Sequence, residues 1–215
     1  MSAELDAADR AALLELAPLL RRAVNLDPAA LVRLRFGAGA ATALSRLPFR
    51  VLVARTVPDP RPRESLDATV RARELLEWLD GVTDAFPPRR DAQWRGGLPP
   101  RNDWVRVDSV PDHVVRPLVR KGALALKDAA AREGVPGASP RAEVADALLD
   151  STVLTVTDAD RTAEVSLRAL SALTRMGFLP RGGRAHIDVA GRWIRVVAEY
   201  GTVYLEQPGS GLTLR

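Results

Sequence analysis

Between Phe86 and Arg106 the chain carries four prolines, two adjacent glycines, two tryptophans and five arginines within 21 residues. Proline removes a backbone donor and glycine adds conformational entropy, so neither helix nor strand tolerates both at this density. The stretch predicts a long loop or strap that divides the chain. We therefore expect an N-terminal α+β unit over 1–81, an Arg/Trp/Pro-rich strap over 82–109, and a C-terminal α+β unit over 110–215.

The strap also holds the clearest chemistry in the sequence. Its five arginines face only Asp91 and Asp103, with the two tryptophans among them. Guanidinium forks bind phosphate in bidentate fashion, and exposed indoles stack on bases. The residues predicted to bind nucleic acid are thus Arg89, Arg90, Trp94, Arg95, Arg101, Trp104 and Arg106. Two other readings stay open. Aromatic and arginine side chains also mark protein-binding surfaces, and tryptophans can simply anchor a loop while arginine stems lie over apolar surface. Trp104 opens an alternating segment and reads as the anchor; Trp94, before Gly96-Gly97, reads as the contact.

Composition narrows the classes. There is no cysteine, which removes disulfides, thiolate nucleophiles and cysteine zinc sites. His113 and His186 are the only histidines, too few for a histidine-rich metal centre, and no metal or cofactor is expected. Asp158-Ala-Asp160 reads as hairpin-turn chemistry rather than a cation site. The net charge is +4, and of 31 basic residues only Lys121 and Lys127 are lysines; part of the arginine excess is the signature of a GC-rich genome. No apolar run approaches the roughly 18 residues of a membrane span. Glu4, Asp6 and Asp9 stand where a signal peptide would be basic, so a cytoplasmic protein is expected.

Periodicity supplies the elements. Leu5, Ala8, Ala12, Leu13, Leu16, Leu20 and Val24 form one helical face, interrupted at Pro18. Ala30–Phe36 alternates apolar and basic residues, Gly37-Ala-Gly39 turns, and Pro48–Val57 is strand-like, with 40–46 ambiguous. Pro58–Arg63 reads as an extended connector, and Ser65 as the cap of a helix that runs to Asp80 with Trp78 at its edge. The first unit is thus expected as helix, hairpin, helix.

In the second unit, Ser109-Val-Pro-Asp112 reads as a capping box. Two helices separated at Gly122, a turn over 134–140, a third helix over 141–150 and a two-stranded hairpin follow. That is the order of a winged helix-turn-helix, and Lys127–Val135 resembles the first helix and turn of helix-turn-helix proteins. The third helix is acidic, with Glu143, Asp146 and Asp150, which opposes groove binding. Residues 151–206 predict an antiparallel sheet with Val153, Val165, Ile187, Trp193 or Ile194, and Val203 in one buried layer. The function expected is a non-catalytic, nucleic-acid-associated or regulatory binding protein. The alternatives are a protein-interaction adaptor without nucleic-acid contact, or an enzyme whose site the spacing does not reveal.

Overall fold

Alternation of apolar and basic residues along Leu31–Gly37 leaves Val32, Leu34 and Phe36 buried and Arg33 and Arg35 on the opposite face, as a half-buried strand requires. This strand, β1, lies at the centre of the first unit. The computed structural model describes residues 5, 7–59, 66–132, 142–159 and 161–207, and it divides into units of residues 1–97 and 98–215. The division falls inside the expected strap, between Gly97 and Leu98.

The first unit begins with α1 (Ala7–Leu13), a 3-10 turn over Leu14–Leu16 and α2 (Ala17–Leu26). Pro18 stands in the first turn of α2, where its missing N–H costs nothing. Then come β1, β2 (Ala40–Leu47), β3 (Val51–Pro58), β4 (Asp67–Arg71) and α3 (Ala72–Leu79). Strand order in this unit is β4-β1-β2-β3, antiparallel throughout. Ala38 and Gly39 turn β1 into β2 with φ of 53° and 73°, the left-handed pair that matches strand twist.

Helix, hairpin, helix is therefore too simple for this unit. The alanine-rich stretch 40–47 pairs with both neighbours, and Asp67–Arg71, expected as helix, is a strand beside β1. Long-range pairing overrides weak local preference there. Trp78 is fully buried rather than at an edge; its Nε1 donates to the Asp84 carbonyl at 3.2 Å. The Ser65 cap and most of the proline-rich connector lie outside the described residues.

The second unit contains β5 (Val105–Pro111), α4 (Asp112–Arg132), α5 (Ala142–Asp150), β6 (Thr152–Asp158) and β7 (Arg161–Ser166). It continues with α6 (Leu167–Arg175), β8 (Arg184–Ala190), β9 (Trp193–Ala198) and β10 (Gly201–Glu206). Strands β10-β9-β8-β5 form one antiparallel array, and β6-β7 is a separate hairpin. Ile187, Ile194, Val196 and Val203 are buried on one face, and α6 packs on β9 and β10. Ile194, not Trp193, belongs to that layer, and Val153, on the separate hairpin, is only half-buried.

Two helix boundaries differ from expectation. Ser109 to Pro111 belong to β5, so the expected capping box is strand, and the helix starts at Asp112. Gly122 does not divide α4: it is buried, and a β-carbon there would overlap the Leu167 side chain. The glycine is a point of close helix approach rather than a breaker. The helix-turn-helix turn over 134–140 lies outside the described residues.

Candidate nucleic-acid interface

The first half of the strap is bound to the free edge of β4. Arg90 N–H donates to the Thr69 carbonyl at 2.6 Å, and the Thr69 N–H donates to Asp91 Oδ1 at 2.6 Å. The Asp91 carboxylate thus stands where a neighbouring strand's carbonyl would be, which satisfies an edge amide that is otherwise open to another chain. Arg89 donates from Nε to Asp91 Oδ2 at 2.8 Å and from Nη2 to the Asp67 carbonyl at 2.7 Å. Arg90 Nη2 reaches Glu74 Oε1 at 3.0 Å. Burial pushes the Asp91 carboxyl up, but the Thr69 amide and Arg89 together outweigh it and hold the group below the usual carboxylate range.

Beyond Asp91 the strap crosses the polar face of the first sheet. Trp94 is half-buried, with the Arg33 guanidinium carbon 5.8 Å from its ring centre. Arg33 is itself bidentate on Asp67, at 2.5 and 2.9 Å. Arg46 Nη2 donates to the Gly97 carbonyl at 2.6 Å, and the same guanidinium occupies the space a β-carbon at Gly96 would need. Arg95 is exposed and donates to the Ala92 carbonyl at 2.6 Å.

The second half of the strap belongs to the other unit. Arg101 is exposed. Trp104 donates from Nε1 to the Pro100 carbonyl at 2.9 Å, carries Arg195 over its ring at 4.4 Å, and meets Tyr204 at 5.8 Å between centres. Strand register aligns Arg106, Asp188, Arg195 and Tyr204 across β5, β8, β9 and β10. Asp188, 2% exposed, accepts from Arg106 Nε at 2.8 Å and Arg195 Nε at 2.7 Å. Burial raises the Asp188 carboxyl, and the two guanidiniums outweigh it and lower the group overall. Burial likewise raises the Tyr204 phenol.

The seven strap residues therefore fall into two groups, Arg89, Arg90, Trp94 and Arg95 in the first unit and Arg101, Trp104 and Arg106 in the second. Arg89, Arg90 and Arg106 hold carboxylates, whereas Arg95 and Arg101 face solvent and meet no carboxylate among the described residues.

A basic surface that the sequence reading passed over lies on α4. Val115, Gly122 and Ala130 are its buried face, and Arg120, Lys121, Leu124 and Lys127 are exposed, with Asp128 beside them. Arg116 is tied to Asp112 and to the Leu179 carbonyl. The chain's two lysines, Lys121 and Lys127, both fall on this helix, and that restriction was the available signal. The acids of α5 also have a role: Asp146 and Asp150 bind Arg168, whose side chain is 2% exposed, at 2.8 and 2.7 Å. They fasten α5 to α6, which accounts for an acidic helix without any groove to read. Among the described residues no group of three His, Asp or Glu side chains could hold a metal ion, and no helix is long and apolar enough to cross a membrane.

Comparison with known proteins bears on this arrangement. A family model described as Domain of unknown function (DUF8185) matches residues 99–210, and a second, Domain of unknown function (DUF8010), matches residues 1–96. No curated protein matches the sequence. The DNA polymerase III subunit beta of Pseudomonas aeruginosa shares the fold over 96% of this chain and 66% of its own, with 14% identity and a TM-score of 0.59. A DNA polymerase sliding clamp from Caulobacter crescentus gives 95% and 65% coverage, 11% identity and a TM-score of 0.57. The Helicobacter pylori beta clamp gives 94% and 65%, 12% and 0.53. The present chain spans just under two thirds of the length of these clamps, and the likeness is one of fold.

Proposed function

Since the chain belongs to the family Domain of unknown function (DUF8185), whose description names no activity, we propose its role from fold and surface: a non-catalytic, DNA-associated scaffold of the sliding-clamp kind that also receives protein partners. The observation that carries this reading is the sliding-clamp fold across 96% of the chain. The proposed DNA contacts are Arg120, Lys121 and Lys127 on α4, with the solvent-facing Arg101 of the same unit. Phosphate contacts of this kind position a protein on the duplex without reading its sequence. Leu124, 62% exposed among the α4 cations, and Val114 at 37% supply apolar area that a protein partner would cover. A purely adaptor role would use those residues and leave the cations idle.

Salt dependence separates the two. Binding of a labelled DNA duplex should weaken steeply with salt, because each neutralised phosphate releases counterion. Replacing Arg120, Lys121 and Lys127 together with glutamine should lower the slope of log affinity against log salt by roughly 0.9 per lost contact, for every DNA sequence alike. Binding that is undetectable at about 50 mM salt in the unaltered chain leaves the adaptor role.

A further inference from the structure

The polar sheet face of the second unit holds more positive charge than its carboxylates use. Arg184, His186 and Asp188 alternate along β8, on the side opposite buried Ala185 and Ile187. On β5, a bulge between Arg106 and Asp108 changes the pairing so that Arg106 faces Asp188 and Ser109 faces His186. The extra residue thereby brings Arg106 and Ser109, three apart in sequence, to the same face. Asp188 is occupied on both oxygens by Arg106 and Arg195. Among the described residues Arg184 meets no carboxylate; it donates from Nε to Ser109 Oγ at 2.8 Å and from Nη2 to the Ser109 carbonyl at 2.5 Å. The acids that flank Ser109 in sequence are turned elsewhere, Asp108 to the Ser109 amide at 2.6 Å and Asp112 to Arg116 at 3.1 Å.

His186 stands between Arg184 and Asp188 on this face of β8, opposite Ser109. Its Nδ1 is shut off from water and has no hydrogen-bond partner among the described residues. Burial first, then Arg106 and Arg184, lower its pKa, with Asp188 acting in the opposite sense. Arg184 is exposed and the Arg106 side chain is 52% exposed, so both keep donors facing solvent.

We propose that Arg106, Arg184, His186 and Ser109 form a binding site for a phosphate group. Two guanidiniums, an imidazole and a hydroxyl on adjacent strands supply charge-assisted donors to a group with several acceptor oxygens. The phosphate is either free or the terminal phosphate of a nucleic acid. No α4 residue takes part, so the site does not rest on the clamp-like reading.

The imidazole spectrum of the full chain tests it, with His113→Gln used to assign the two histidine signals. Titration with inorganic phosphate should move the His186 signal saturably, where sodium chloride of equal ionic strength does not. Arg184→Gln, at an exposed position, should weaken that response at least about tenfold, or about 1.4 kcal/mol, while its melting curve stays close to that of the parent. A short oligonucleotide with a 5′-phosphate, compared with the same strand lacking it, distinguishes the sources. A response to inorganic phosphate alone assigns the free group, and a response that requires the 5′-phosphate assigns the nucleic-acid end. An unmoved His186 signal, an equal response to chloride, or unaltered phosphate binding by Arg184→Gln overturns the proposal. The α4 glutamine variant should respond as the parent does, so failure here and failure of DNA binding are read separately.

Discussion

Arg168 and Asp188 are both buried charges, but their partners differ in exposure, and so do the consequences of losing them. Arg168 is 2% exposed, and the carboxylates that hold it, Asp146 and Asp150, are 45% and 56% exposed. Replacing Arg168 with methionine fills similar volume and leaves two carboxylates that water can solvate. Replacing both aspartates with alanine instead takes two carboxylates from a buried guanidinium, and breaking buried pairs in this way costs up to about 3–5 kcal/mol. Chemical denaturation should therefore find Asp146→Ala/Asp150→Ala less stable than Arg168→Met. At Asp188 the carboxylate is the buried partner. Its folded pKa is lowered, so its contribution is fully present above the ordinary carboxylate pKa of about 3.9 and fades as pH falls through the lower folded value. Asp188→Asn should lose roughly 2–3 kcal/mol at neutral pH. Its stability should then decline less than the parent's between pH of about 4 and 2. Parallel acid-side curves for the two proteins would argue against this role for Asp188.

At the scale of elements, the strap's first half is tied to the edge of β4 and α4 carries an exposed basic face. Arginines 89 and 90 looked like phosphate ligands because they are adjacent, basic and in a loop. In the structure they, with Asp91, complete the edge of β4. Thr69 is 1% exposed, and its amide depends on the Asp91 carboxylate. Asp91→Ala should cost about 1–3 kcal/mol and speed hydrogen exchange at the Thr69 amide, and Asp91→Asn, which keeps an acceptor, should restore part of the protection. Unchanged exchange in Asp91→Ala would show that the strap does not cover this edge. Trp104, with an indole hydrogen bond, a stacked Arg195 and Tyr204 beside it, is better held than Trp94, which has the more distant Arg33. In α4 apolar and small residues separate the Arg120-Lys121 pair from Lys127, and the three form a face only when the helix is wound. Gly122 looked like a break because an isolated glycine weakens a helix, whereas packing against Leu167 gives it a positional reason.

Across the whole chain, the α+β class and the strand character within 30–36, 48–57 and the 185–206 meander were legible from residues alone. Each rests on a local cause: alternation with period two or helical spacing of leucines. Tertiary structure decided the rest. Asp67–Arg71 became a strand because β1 had an open edge, and no pattern within five residues records a partner more than thirty positions away. Arg106, Asp188, Arg195 and Tyr204 were brought into one row by strand register and one bulge, and shifting any pairing by one residue would send a side chain to the opposite face. Whether an arginine meets a carboxylate or solvent follows from such pairings. Hence composition could state how many cations this protein has, and only the folded chain could state which of them remain available to a ligand.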